Sequence, residues 1–237
     1  MIEFAKNTLS IHSQREFEIP LGYRFLPSNI YGIFGPNGIG KTTLLNQILQ
    51  DINSNIPSII RDINSNKINN SDEKIAVIPQ KIEELLLPWL TPSKMIKIFN
   101  NNYSQNKNNS DFLRTIQKKY HFRKLSGGEK QVFAIDLITS YNFDFLFFDE
   151  PFSSLDFDNT SQKLIRIKQY IKSNNAILFI VLHDFSSLQY ISDHLVFFNP
   201  SINKIFIKKN EYIIDDIFLL ERKIDTNFIK LCLKETR

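Results

Sequence analysis

Residues Gly35-Pro36-Asn37-Gly38-Ile39-Gly40-Lys41-Thr42 fit the pattern G-x-x-x-x-G-K-[ST], and what flanks them narrows the fold further. Before them, Ile30 to Phe34 is an apolar run of strand length. After them, Leu44, Leu45, Ile48 and Leu49 recur at helical spacing. A strand that turns through glycines into a helix is the setting in which this loop cradles phosphate. The glycines let the backbone amides of 35–43, those of Asn37, Ile39 and Thr43 among them, wrap an anion at a helix N-terminus, while Pro36, which has no N–H to donate, belongs to the same turn. Lys41 offers a mobile cation to terminal phosphate oxygens, and Thr42 offers a hydroxyl to magnesium. A chance glycine-rich turn is the competing reading, and the flanking strand and helix weigh against it.

The rest of the chain continues in the same style. Lys74 to Gln80 reads as a short strand ending at Pro79. Phe145 to Phe148 and Ile177 to Leu182 read as buried strands, with Leu164, Ile167, Tyr170 and Ile171 on a helix between them. Strand, helix and strand in succession imply a parallel sheet with covering helices. Residues 51–73 and 100–111, rich in Asn and Ser, read as loops, and the DINSN pentapeptide at 51 and 62 is too short for a structural repeat. A strand over Leu195 to Phe198, a hairpin around Asn203 and Lys204, and an amphipathic stretch follow; about 40 residues there are too few for a separate domain.

Composition excludes several classes. At 237 residues with 42% hydrophobic and 23% charged residues, the chain can bury a core without staples and is neither disordered nor collagen-like. The longest apolar run, Ala176 to Leu182, is far short of a bilayer span. Glu3 and Lys6 interrupt what a secretory signal would keep apolar, so a cytoplasmic address is expected. The single Cys232 excludes an internal disulfide and a multi-cysteine zinc site. Net charge is +4, with the basic residues scattered rather than gathered into a nucleic-acid arm.

Two further segments carry chemistry. The strand Phe145 to Phe148 runs into Asp149 and Glu150, which suit a magnesium ligand and a general base respectively; a solvated strand end would also place acids there. In Leu125-Ser126-Gly127-Gly128-Glu129-Lys130-Gln131, Ser126 and Glu129 read as a capping box that opens a helix. Capping does not call for Gly127 and Gly128, which weaken a first turn.

This last segment resembles the signature sequence of the ATP-binding cassette (ABC) ATPases. Further landmarks of that family match in order over nearly the whole chain: Gln80, then Ser153-Ser154-Leu155-Asp156, then His183 after the strand at 177–182. The resemblance implies an α/β fold, a P-loop NTPase core with parallel sheet and covering helices, a small antiparallel β subdomain and an inserted helical subdomain at about 82–140, all within one domain of 1–237. It implies ATP and Mg2+ as ligands, held by residues 35–43, with Thr42, Asp149 and Gln80 toward the metal. Glu150, His183 and Gln80 would be catalytic, Glu150 orienting the attacking water and His183 contacting the terminal phosphate. Ser126, Gly127 and Gly128 would bind the phosphate held by a second subunit, and Asp156 would bridge the pair.

Two positions depart from the family pattern. Val132 stands where an arginine is usual, and no tyrosine stands clearly as the stacking aromatic that the family places upstream of the P-loop, which leaves His12, at about the expected distance, as the candidate adenine platform. The implied partners are a second ATPase subunit, identical or related, an integral membrane permease and, for an importer, a substrate-binding protein. The implied location is the inner face of the cell membrane. Leu85 to Thr91, with Trp89, falls where the family receives a short permease helix, although the leucines equally suit a helical core. LPWLT and Pro151-Phe152 are similar to the import branch, particularly subunits serving small anionic nutrients such as nitrate or sulfonates. The alternative is a soluble ABC-type ATPase acting on nucleic acid, ribosome or an assembly complex. The lack of heptads between Lys41 and Ser126 disfavours the coiled-coil chromosome-maintenance ATPases, a single cassette disfavours the ribosome-binding branch and a single cysteine disfavours the zinc-bearing repair branch, so nucleic acid is not the expected partner.

Overall fold

The structure, a computed structural model, describes residues 2–4, 6, 8–11, 15–53, 60–62, 74–86, 89–103, 111–116 and 121–210. His12, Leu87, Pro88, Cys232 and the stretch after 210 lie outside the described residues. In chain order the first elements are β1 (Ile2–Phe4), β2 (Thr8–Ile11), β3 (Arg15–Glu18), β4 (Arg24–Phe25), β5 (Ile30–Phe34), α1 (Lys41–Asn53), β6 (Ile60–Asp62) and β7 (Ile75–Ile78). Next come α2 (Pro92–Asn102), α3 (Asp111–Ile116), α4 (Gly127–Ile138), β8 (Phe145–Asp149) and α5 (Phe157–Asn174). The last are β9 (Ile177–Val181), α6 (Phe185–Ile191), β10 (His194–Asn199) and β11 (Lys204–Lys209). Two compact units divide the chain: one of residues 1–25, 31–69 and 181–237, the other of 26–30 and 70–180.

In the first unit, β4-β1-β6 form an antiparallel sheet in which Ile2 lies opposite both Phe25 and Asp62. A second set runs in the order β2-β3-β11-β10-β5. Its β5–β10 pair is parallel, from Tyr31↔His194 to Phe34↔Phe197, whereas β2–β3 and β10–β11 are antiparallel. Strand β5 is buried until its last residue, and Gly32 lets α6 lie against it: a Cβ there would come 2.8 Å from Leu188 Cδ1. Leu44, Leu45, Ile48 and Ile52 form the buried stripe of α1. The β10–β11 hairpin turns through Asn203, whose φ of 51° is the left-handed conformation that asparagine tolerates.

In the second unit the strand order is β9-β8-β7, with β7 and β8 parallel from Ile75↔Phe145 to Ile78↔Phe148. Strands β8 and β9 are buried at every residue, the pattern of strands covered on both faces. Phe147 and Phe148 are fully buried, each such side chain contributing about 1.5–3 kcal/mol. Between Gln80 and Tyr141 the described elements are helical: α2, α3, α4 and two single 3-10 turns at Ile82–Glu84 and Phe122–Lys124. Helix α5 buries Ser161, Leu164, Ile167, Tyr170 and Ile171, and ends at left-handed Asn175, whose N–H bonds the Ile171 carbonyl. No described helix is long and apolar enough to cross a membrane.

The loop expected at 51–73 is corrected at two places. Helix α1 continues to Asn53 with Asp51 and Ile52 buried, and 60–62 form β6, whose backbone finds partners on β1. Local polarity predicted no strand there, but pairing with a distant strand supplies the ladder. Similarly, α2 extends into the asparagine run at 100–102. The Asn102 amide donates to the Ile98 carbonyl at 2.7 Å, and Tyr141 Oη donates to Asn100 Oδ1 at 2.5 Å.

Candidate functional site

The glycine loop lies in the first unit. Pro36, Asn37 and Gly38 are exposed, while Ile39 is buried and anchors the turn. Gly38 and Gly40 have φ of 73° and 112°, values at which a side chain is strained. Although only 7% exposed, Lys41 folds its side chain back over the loop, and Nζ donates to the carbonyls of Gly35 at 2.9 Å and Pro36 at 3.1 Å. An ammonium is thereby held at the mouth of a turn that opens the 13-residue helix α1, an arrangement suited to polyphosphate. Thr42 is exposed and Thr43 half-buried in the first turn. His183, exposed, follows Leu182 just beyond β9, and the next residue, Asp184, caps α6 by accepting from Ser187 N at 2.7 Å.

The second unit brings together residues that the sequence presents separately. Asp149 ends β8 and is 4% exposed. Glu150 has a φ of 52°, a conformation costing a non-glycine residue about 1–3 kcal/mol. Its Oε2 accepts a hydrogen bond of 2.9 Å from Gln80 Nε2, 70 positions earlier in the chain.

At the signature turn, Ser126 caps α4: its Oγ accepts from Glu129 N at 3.1 Å, and Glu129 Oε2 accepts from Ser126 N at 2.9 Å. The capping box is therefore as the sequence suggests. Gly128 answers a different demand, because a Cβ there would sit 2.9 Å from the Ser154 carbonyl oxygen. Asp156 caps α5, Oδ1 accepting from Asn159 N at 2.8 Å.

Two residues quoted within the signature without a role turn out to hold it in place. Gln131, 3% exposed, donates from Nε2 to Ser153 Oγ at 2.8 Å and accepts from Ser154 N at 2.9 Å. Lys130 Nζ lies 3.2 Å from Glu83 Oε1. The Glu83 carboxyl is held below its ordinary range, first by a bond to its own backbone and then by Lys130. The signal available in the sequence for Gln131 was its place directly before the apolar run Val132 to Ile135; residues 131–140 are all buried. Val132, in the place of the usual arginine, is buried in that stretch. Leu86 is buried and Leu85 half-buried, whereas Trp89 is 71% exposed. Among the described residues no three His, Cys, Asp or Glu cluster as a metal cage.

A buried strand, a glycine loop with its lysine and a long helix define a nucleotide-binding α/β protein of the P-loop class. The family described as ABC transporter matches residues 20–153, more than half of the chain; the chain belongs to that family, whose ATP-binding domains are ATPases. Translation initiation factor RLI1 of Chaetomium thermophilum is 26% identical over 189 residues, covering 71% of this chain and 31% of that protein. This chain thus spans about a third of the length of that relative. Phosphonates import ATP-binding protein PhnC of Fusobacterium nucleatum is 26% identical over 234 residues, covering 90% of this chain and 94% of the relative. In fold, the chain is similar to cbiO1 from Clostridium perfringens, part of the ABC transporter complex cbiONQ, with a TM-score of 0.67 at 16% identity and 98% coverage of both chains.

Proposed function

We propose that this chain is the ATP-hydrolysing subunit that pairs with a second copy or a close relative around ATP and drives a separate membrane permease in an importer. The observation that carries the hydrolytic part is the Gln80–Glu150 hydrogen bond beside Asp149, which fixes a carboxylate in orientation at the end of a buried strand. In this reading, amides of 35–43 bind the phosphates, and Lys41 exchanges the Gly35 and Pro36 carbonyls for terminal phosphate oxygens. Glu150 takes a proton from the attacking water while Gln80 holds its other freedom in check. Thr42, Asp149 and Gln80 would hold Mg2+, which supplies charge neutralisation on the phosphoryl oxygens when bound. His183 contacts the terminal phosphate. Ser126, Gly127 and Gly128 serve the nucleotide held by the other subunit, and Asp156 lies at the seam.

The importer assignment is supported by the PhnC relative, matched over nearly all its length, and by LPWLT and Pro151-Phe152. The substrate class it favours is a small anion, carried to the permease by a substrate-binding protein. The protein would then sit on the cytoplasmic face of the membrane, with no nucleic acid in its cycle. The RLI1 relative supports a second reading, a soluble ABC ATPase acting on a ribosome or assembly complex. Gentle detergent extraction of membranes followed by affinity capture decides between them. An integral membrane protein at stoichiometric yield is expected; ribosomal subunits in its place would establish the second reading.

A further inference from the structure

Helix α4 carries one acid within an otherwise apolar run of sequence, Val132 to Ile138. Asp136 has no exposed surface, and its neighbours along the helix, Phe133, Ala134, Ile135, Leu137 and Ile138, are all buried. A carboxylate in such a place is costly unless paired. Its partners come from α5: Lys163 Nζ at 2.7 Å from Oδ1, and Arg166 Nη1 at 3.6 Å from the same oxygen. Arg166 also donates from Nε to Thr139 Oγ1 at 3.0 Å, at the C-terminal cap of α4. At the other end α4 meets the turn that leads into α5, where Gly128 leaves room for the Ser154 carbonyl and Gln131 bonds Ser153 and Ser154. Helix α4 is thus fastened to α5 at one level and to the turn entering α5 at another, and the N-caps of the two helices are Ser126 and Asp156.

We infer that Asp136 and Lys163 are positioning residues that make α4 and α5 move as one body, so that Ser126–Gly128 and Asp156 approach the second subunit together. The inference rests on the proposed two-subunit ATPase reading. The tie lies about 15 Å along α4 from Ser126 and about 10 Å along α5 from Asp156, so neither Asp136 nor Lys163 touches nucleotide at the signature turn. A rotation of one helix without the other would leave a charge buried alone, which is the physical reason the pair behaves as a unit.

The test compares wild-type protein with Asp136→Asn and Lys163→Met, by native-state amide hydrogen exchange and steady-state ATP turnover. Lys163 is part-exposed, so Lys163→Met carries the test if Asp136→Asn does not fold. Exchange is expected to rise roughly fivefold or more in both first turns, Glu129 to Val132 and Asn159 to Gln162, although neither is mutated. In turnover, kcat is expected to fall roughly tenfold with KM within about twofold, because what is lost is joint approach rather than nucleotide grip. Exchange confined to the turns around 136 and 163, or a lowered melting temperature with kcat unchanged, overturns the inference. If the wild-type protein itself neither pairs on ATP nor hydrolyses it, the proposed function fails, and the exchange pattern still decides whether the helices are coupled.

Discussion

In the glycine loop, Gly38 has a φ of 73° and a Cβ placed on it would meet nothing within 4 Å. In the signature turn, Gly128 has a helical backbone and a Cβ there would lie 2.9 Å from the Ser154 carbonyl oxygen. One glycine is required by torsion and has space to spare; the other is required by space and has ordinary torsions. The first requirement is written locally, in the turn that leads from β5 to α1. The second is imposed from a segment 26 positions away along the sequence. A motif can thus be conformational in one unit and a docking surface in the other while using the same residue type.

The widest break expected between the two regions is functional. Glu150→Gln should lower ATP turnover about 10²- to 10⁴-fold while leaving nucleotide bound, so that an ATP-loaded dimer accumulates in size-exclusion chromatography. Turnover at the wild-type rate would remove Glu150 from the role of base. Lys41→Ala should act on the other region, weakening ATP affinity roughly 10- to 100-fold, as loss of a charge-assisted hydrogen bond does, measured by calorimetric titration. Were it instead to bind normally and fail only in turnover, the division of labour would be reversed.

The glycines themselves give the next largest effect. Gly128→Ala should destabilise by about 1–3 kcal/mol through overpacking against backbone, with Gly128→Asn worse, read from urea unfolding. At Gly38 the order should invert: Gly38→Asn should be milder than Gly38→Ala, whose cost is about 1–2 kcal/mol, since asparagine tolerates left-handed torsions. Equal rankings at the two sites would dissolve the contrast.

The smallest effect is a pH dependence in the second unit. Tyr170 Oη donates to the Tyr141 carbonyl at 2.8 Å and accepts from Phe143 N at 2.9 Å. Burial pushes its phenol up from 10.0 to about 12, against the lowering effect of the Phe143 bond. A raised value means that the native state keeps a proton the unfolded chain gives up. Its contribution is therefore complete below about pH 10 and lost progressively as pH rises toward about 12. Tyr170→Phe should cost about 1–2 kcal/mol at neutral pH and flatten that alkaline loss, measured by unfolding at pH 8 and pH 11.

Much of this architecture was legible in the residues because the determinants are local. The strand at 30–34, the stripe Leu44, Leu45, Ile48 and the Ser126–Glu129 box each need only a few neighbouring positions to be read. What escaped reading depends on partners far along the chain: β6 exists because β1 offers it a ladder, and Gln131 is fixed by Ser153 and Ser154. Gln80 and Glu150 could each be picked out by motif order, but no sequence rule says that their side chains bond each other. The Asp136–Lys163 pair was invisible for the same reason, since α4 and α5 belong to different stretches whose spacing encodes no contact.

The left-handed backbone at Glu150 carries an implication for protein engineering. Glycine or asparagine at that position would relieve the torsion, so a screen that rewards only resistance to heat or denaturant should drift away from glutamate there. Libraries selected for robustness alone would be enriched in well-behaved, inert proteins, and position 150 would be the first place to sequence when a hardened variant has gone silent.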